Sequence, residues 1–140
     1  MKALLTALLL VTSSIALSPA FADDSLYRDL GGKVGITKIV DAEMVRHLAN
    51  PRIKAQFDDT NIDRLKEQIA IFICDVSGGP CKYTGPDLHT VHKGMHLTEA
   101  DFNSFVEGMQ SAMDELGVPF STQNRLLARL APFERDVVTK

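Results

Sequence analysis

The sequence has 140 residues, of which 45% are hydrophobic and 24% are charged, with 15 basic and 18 acidic side chains. This length and composition are typical of one globular domain. The net charge of −3, without a basic cluster, argues against nucleic acid as a partner.

The first 22 residues have the pattern of a secretory signal peptide. Lys2 supplies a positive charge, residues 3–17 are almost entirely apolar, and Ala20-Phe21-Ala22 is an Ala-x-Ala cleavage site. The apolar run is too short, and too often interrupted by Ser and Thr, for a membrane anchor. We therefore expect cleavage after Ala22, a mature domain of residues 23–140 without a membrane span, and a periplasmic or secreted location.

The two cysteines, Cys74 and Cys81, lie seven positions apart. In an exported protein they can form a disulfide that closes a small loop. A buried free thiol on a helix is the alternative for Cys74, and the residues leave this choice open. The spacing does not match a metal-binding pair, and the chain has no Cys-x-x-Cys-His haem-attachment sequence.

Helical periodicity runs through the first half of the mature chain. Ser25 predicts the cap of a short helix, Leu26 to Leu30, that ends at Gly31-Gly32. An apolar residue then recurs every four positions and predicts a helix of about four turns, which Asn50-Pro51 ends. A short turn through Ala55 follows. The stripe on the long helix consists of Ile36, Val40, Met44 and Leu48.

Two further helices are predicted behind capping boxes, which are formed by Thr60 with Asp63 and by Thr98 with Asp101. A last helix is expected from about Thr122, with a bend at Pro132. No convincing strand appears, so the sequence predicts an all-α domain. The apolar stripes of the two capped helices are Ile62, Leu65, Ile69, Ile73 and Val76, and Phe102, Phe105, Met109, Met113 and Leu116.

The stretch from Asp87 to Thr98 contains three of the four histidines. Leu88, Val91 and Met95 recur at helical spacing, and His92 lies at the edge of this apolar face. Gly94 predicts the end of the helix. An imidazole in this place suits an axial ligand to a buried metal centre, with a core or surface histidine as the alternative.

His89, His92 and His96 are separated by three and by four positions. This spacing is one that zinc or copper sites on a helix can have. Gly94 interrupts the helix between them, however, and no carboxylate or thiol accompanies them. His89 and His96 are therefore better interpreted as surface residues.

In their order and spacing, several motifs resemble the truncated haemoglobin family, and most closely its group I. The resemblance extends from about Ser25 to Val138. It implies a two-over-two helical sandwich around haem b (iron protoporphyrin IX). The motifs are Leu30-Gly31-Gly32, Phe57, Gly78-Gly79-Pro80, Tyr83-Thr84-Gly85, Val91-His92-Lys93-Gly94 and Leu97-Thr98.

The resemblance assigns roles to individual residues. His92 occupies the position of the proximal iron ligand, and Phe57 matches the aromatic residue that packs against the haem plane. Lys54, Lys82 and Tyr83 are candidates for the haem propionates, by charge and loop location alone. The further residues expected around the haem are Leu65, Gln68, Ile69, Tyr83, Leu88 and Met95.

The distal side departs from the family pattern. Group I proteins usually have tyrosine where this chain has Met44, and often glutamine where it has Ile69; the neighbouring Gln68 is one position early. Oxygen gains negative charge on binding ferrous iron and is held by hydrogen-bond donors, whereas a thioether cannot donate. Gln68 supplies an amide donor if it turns inward and is otherwise a solvent-facing residue. Alternatively Met44, Gln68 or His47 provides a sixth iron ligand.

The resemblance implies reversible binding of oxygen and of other diatomic ligands, such as nitric oxide and carbon monoxide. The family is also associated with the oxidation of nitric oxide to nitrate, which needs a reductant to restore the iron. The altered distal residues favour ligand binding over a dedicated enzyme, and no catalytic residue is assigned. The alternatives are a six-coordinate electron-transfer or haem-carrier protein and a haem-free metal-binding helical protein.

Overall fold

The computed structural model describes residues 23–140, and the expected signal peptide lies outside these residues. Throughout this range the regular elements are helical, which confirms the all-α prediction. 3₁₀ turns occur at Lys54–Phe57 and at Ala131–Phe133. The helices are α1 (Ser25–Asp29), α2 (Gly32–Ala49), α3 (Ile62–Val76), α4 (Leu88–His92), α5 (Glu99–Glu115), α6 (Phe120–Leu130) and α7 (Glu134–Val137).

Helix α2 is the central element because it packs against both α3 and α5. The predicted stripe on this helix is partly wrong, since Leu48 is 42% exposed. A spacing of four drifts around a helix with 3.6 residues per turn, so that Leu48 points about 120° away from Ile36. The buried face instead combines spacings of three and four, and consists of Ile36, Ile39, Val40, Glu43, Met44 and His47.

The helix starts show which capping predictions hold. The box of Thr98 and Asp101 at the start of α5 is confirmed, with both of its reciprocal hydrogen bonds present. The box predicted at Thr60 is wrong by one position, because the side chain of Asn61 accepts the capping hydrogen bond from Arg64 N. Asn caps helices as well as Ser or Thr does, so the pattern did not distinguish the two starts. The Ser25 cap is also wrong, because α1 begins at that residue.

The main hydrophobic core lies among α1, α2, α3, α5 and α6. The buried members of the core are Leu26, Leu30, Ile36, Ile39, Val40, Ile73, Cys74, Met109, Met113 and Leu126.

The last predicted helix begins two residues earlier than expected, at Phe120, and the bend at Pro132 is confirmed as a 3₁₀ turn between α6 and α7. No helix within residues 23–140 is long and apolar enough to cross a membrane.

Cys74 and Cys81 form a disulfide, which resolves the choice that the sequence left open. Their sulfur atoms are 2.02 Å apart and their Cα atoms 5.7 Å apart. Cys74 is buried near the end of α3, whereas Cys81 begins the loop that leads to α4. The bond therefore ties the end of α3 to the segment that carries His92.

Candidate functional site

The site begins with α4, which has only five residues. Asp87 caps its start, because one carboxylate oxygen accepts a hydrogen bond from Thr90 N (2.9 Å) and the other from the Thr90 hydroxyl (2.7 Å). These two bonds hold the pKa of Asp87 below its usual range. The helix gives way to a turn at Lys93, and Gly94 has a φ of 82°, so the predicted glycine stop is confirmed.

The imidazole of His92 is held in a defined orientation. Its Nδ1 lies 2.7 Å from the carbonyl oxygen of Leu88, one turn earlier. A carbonyl oxygen only accepts, so Nδ1 must carry the proton of this hydrogen bond and the lone pair of the neutral ring lies on Nε2. The half-buried ring therefore has the tautomer and the fixed orientation that a metal-binding histidine needs.

The apolar side chains expected around a haem are only partly covered by the protein. Helix α3 packs on α2 and α4 packs on α7, whereas α3 and α4 are not packed closely on each other within residues 23–140. Apolar residues on both helices are consequently half-buried, as is Phe57. A flat apolar group placed between the two helices would cover these side chains. The expected apolar residues that are half-buried on the two helices and the following turn are Leu65, Ile69, Leu88 and Met95.

The distal candidates are poor in hydrogen-bond donors. Met44 is 2% exposed on the inner face of α2, and Leu65 and Ile69 are aliphatic. Gln68 is half-buried, and its amide makes no hydrogen bond within the described part of the chain. Gln68 is thus the one amide among the four residues that the sequence assigns to this pocket.

One ring nitrogen of His47, which the sequence offered as a sixth iron ligand, is already engaged with another side chain. Its Nε2 lies 2.9 Å from Glu43 Oε1, and both side chains are fully buried. The ring stacks on Phe105 at 4.3 Å between centroids and lies parallel to Phe57 at 6.0 Å. A Cβ at Gly108 would come within 2.6 Å of the His47 ring, so this glycine provides the space for it.

The Glu43–His47 pair is a feature that the sequence interpretation missed. Burial raises the pKa of Glu43, and the hydrogen bond from His47 opposes this shift. Glu43 Oε2 and His47 Nδ1 have no hydrogen-bond partner within residues 23–140. The spacing of four between Glu43 and His47 was the available signal, but a polar pair at that spacing is usually found on the solvent face of a helix.

Two of the three candidates for the propionates have other partners. Tyr83 donates its hydroxyl to the carbonyl oxygen of Pro86 and its backbone N–H to Asp75 Oδ2, both at 2.9 Å. Lys82 lies 3.4 Å from the same Asp75 carboxylate. The Tyr83 N–H, followed by Lys82, lowers the pKa of Asp75. These contacts hold the loop before α4, whereas Lys54 is exposed on the 3₁₀ turn at Lys54–Phe57.

The described residues offer no cluster of three or more His, Cys, Asp or Glu side chains that could hold a metal ion. The interpretation of His89, His92 and His96 as a zinc or copper site is therefore wrong. His89 and His96 are exposed, as the surface interpretation predicted.

Comparison with known proteins agrees with this geometry. A model of the bacterial-like globin family matches residues 25–139. The group 1 truncated hemoglobin GlbN of Mycolicibacterium paratuberculosis is 31% identical over 115 residues, which cover 82% of this chain and 85% of the relative. The crystal structure of truncated hemoglobin from Tetrahymena pyriformis in the Fe(III) form has a TM-score of 0.79 at 29% identity and covers 82% of this chain and 98% of that one. The chain therefore belongs to the bacterial-like globin family and is a homologue of the group 1 truncated haemoglobins.

Proposed function

We propose that this protein binds haem b, with His92 as the proximal ligand, and reversibly binds oxygen and other diatomic ligands such as nitric oxide and carbon monoxide. Membership of the globin family implies haem binding. The form without a covalent attachment is supported by the sequence, which has no Cys-x-x-Cys-His motif. Some members of the family that this chain resembles join the haem to a histidine on the last helix, but here no histidine follows His96.

The hydrogen bond between His92 and the Leu88 carbonyl carries this proposal. It leaves Nε2 as the free ring nitrogen and prevents the ring from turning, which is what a fifth ligand to iron requires. When bound, haem supplies the iron and its one-electron chemistry. The half-buried apolar side chains of α3 and α4 would cover its faces, and Phe57 would pack against the ring plane.

The distal residues define the finer part of the proposal. Met44, Leu65 and Ile69 have no N–H or O–H to donate, so Gln68 is the nearest candidate donor to a bound ligand. We expect oxygen to dissociate faster, and the iron to oxidise more readily, than in relatives with a tyrosine at the Met44 position. Oxidation of nitric oxide to nitrate is a secondary proposal, since it requires an external reductant.

The proposed location is the periplasm or the extracellular space. The signal-peptide pattern of residues 1–22 supports export. The disulfide between Cys74 and Cys81 supports it independently, because such bonds persist in oxidising compartments and are rare in the cytosol.

Visible spectra of the mature protein in the ferric, ferrous and carbon monoxide forms test the haem proposal. Wild type should show a Soret band that His92→Ala weakens or displaces. His89→Ala is the matched control, because it removes an exposed histidine one turn earlier on α4 and should leave the spectrum unchanged. Folded wild-type protein that takes up no haem would contradict the proposal.

The same spectra decide between the two classes of haem protein. Five-coordinate ferrous iron supports ligand binding. Six-coordinate ferrous iron that becomes five-coordinate in Met44→Leu would instead identify an electron-transfer or haem-carrier protein with Met44 as a ligand.

A further inference from the structure

The turn between α4 and α5 has an unusual backbone. Gly94 and His96 both adopt left-handed conformations, with φ values of 82° and 54°, and His96 is the only non-glycine residue with positive φ within residues 23–140. A non-glycine residue in this region is uncommon, although His tolerates it better than most residues. Such a conformation persists only where the surrounding structure holds it in place.

The segment after α7 supplies contacts that can hold this turn. The backbone N–H of Leu97 donates to the Thr139 hydroxyl oxygen at 3.1 Å. In return, the backbone N–H groups of Thr139 and Lys140 donate to the Leu97 carbonyl oxygen at 3.0 and 3.2 Å. Leu97 is only 7% exposed, so both of its backbone polar groups obtain their partners from residues 139–140 rather than from water.

These bonds act on the segment that carries His92. Helix α4 has five residues, too few to be stable by itself, and it packs against α7. Asp87 fixes its start. Its other end continues through residues 93–96 to Leu97, the first residue of the turn that is both buried and bound to a distant part of the chain.

We infer that Thr139 is a positioning residue for His92 and that residues 139–140 act as a clasp on the turn after α4. By fixing Leu97 they limit the conformations of residues 93–96 and hold the His92 imidazole in place. This inference rests on the proposed function, since it assigns Thr139 an indirect role in binding the haem iron.

The test compares Thr139→Val with Thr139→Ser. Valine keeps the shape of threonine but lacks the hydroxyl, so it removes the acceptor for Leu97 N; serine retains the acceptor and should behave as wild type. In Thr139→Val we expect haem to dissociate roughly fivefold faster, the factor for one hydrogen bond of typical net strength. We also expect a shifted or broadened iron–histidine stretching band in the resonance Raman spectrum of the ferrous protein.

A second measurement does not use haem, and its first comparison needs only the wild-type protein. Amide hydrogen exchange on the haem-free wild-type protein should show Leu97 N–H protected as strongly as amides within α5, and in Thr139→Val this protection should fall. Rapid exchange of Leu97 in wild type would overturn the inference even if Thr139→Val fails to fold.

The outcomes separate the two proposals. Wild type without a Soret band overturns the proposed function and, with it, the role of Thr139. Wild type that binds haem, with a Thr139→Val variant whose haem loss and iron–histidine band are unchanged, overturns the role of Thr139 alone.

Discussion

At the scale of single residues, neighbouring positions on α2 face different surroundings. Met44 lies at the position where the family resemblance leads us to expect tyrosine, and its thioether provides no hydrogen-bond donor. Glu43, one position earlier, is fully buried against His47. The Glu43 carboxyl group is therefore next to Met44 in the chain, but it faces the His47 ring, which packs against α5.

Replacing Met44 by tyrosine should slow oxygen release from the ferrous protein. A phenol at this position can donate a hydrogen bond to a ligand that gains negative charge, and bonds of this type contribute about 1.5–3 kcal/mol. We expect the dissociation rate to fall by roughly 10-fold or more relative to Met44→Phe, which has nearly the same size but no hydroxyl. Stopped-flow displacement of oxygen by carbon monoxide measures both rates. Equal rates in the two variants would show that position 44 does not face the ligand.

Glu43 should make the protein less stable as the pH rises. Its pKa is raised by burial above the ordinary value of 4.5, so the folded protein retains a proton that the unfolded chain releases. The associated stability is fully present below pH 4.5 and is lost as the pH increases through the folded pKa, by at most about 1.4 kcal/mol per pH unit.

Urea unfolding of wild type and Glu43→Gln from pH 4.5 upward tests this prediction. Glutamine is neutral and nearly isosteric, so its curve should lack this loss. Other carboxyl groups have lowered pKa values and titrate below this range, so they do not contribute to the pH dependence measured here. They include those of Asp75, Asp87 and Asp101. Parallel curves would mean that Glu43 binds protons equally in the folded and unfolded protein, so that folding does not raise its pKa.

At the scale of elements, α4 depends on its two ends. It is too short to be stable as an isolated helix, and its single turn contains both His92 and the Leu88 carbonyl that orients it. The Asp87 cap, the Gly94 turn and the contact with α7 together hold this turn. Loss of the contacts at either end of α4 should therefore disturb the orientation of His92 before it unfolds the protein as a whole.

Removing the cap with Asp87→Ala should loosen the haem without unfolding the protein. Loss of an N-cap costs about 1 kcal/mol, which corresponds to roughly fivefold faster haem dissociation if the cost falls on α4. Transfer of haem to an excess of an apoglobin measures the rate. Asp87→Asn is the control, because asparagine caps equally well; if it loses haem as fast as the alanine variant, the cap is not the cause.

At the scale of the whole molecule, α2 connects the two halves of the helical core, and the disulfide connects α3 to the site. Helices α3 and α5 both pack on α2, so the proposed distal residues of α2 and α3 lie on helices that contact each other directly. The loop from Cys81 to Asp87 has no regular secondary structure and is held by the disulfide and by the hydrogen bonds of Tyr83.

Removal of the disulfide should destabilise the protein measurably. For a loop of this size, the chain-entropy model gives about 2–3 kcal/mol for Cys74→Ala with Cys81→Ala. Urea unfolding measures the loss, and wild type treated with a reductant should lose a similar amount. If the reductant has no effect on wild type whereas the double variant is destabilised, the cost comes from the cavity at Cys74 and not from the broken bond.

The all-α class and most helix positions could be predicted from the sequence, because periodicity, glycine stops and capping residues are local signals. Thr98 with Asp101 and the turn at Gly94 were predicted correctly for this reason. The role of His92 as the iron ligand came from the family resemblance and stays a prediction. The cap at Asn61 and the exposure of Leu48 were missed, since neighbouring polar residues cap equally well and an apolar spacing of four does not follow a helical face over three turns.

Tertiary structure alone decided the features that depend on residues far apart in the chain. Residue patterns left the pairing of Cys74 with Cys81 open and did not reveal that Gly108 of α5 makes room for His47 of α2. They likewise did not show that Thr139 bonds to Leu97, 42 residues away. Periodicity reports which face of a helix is apolar, but it does not report which distant backbone group will meet that face. That pairing is set by how α2, α5 and α7 pack.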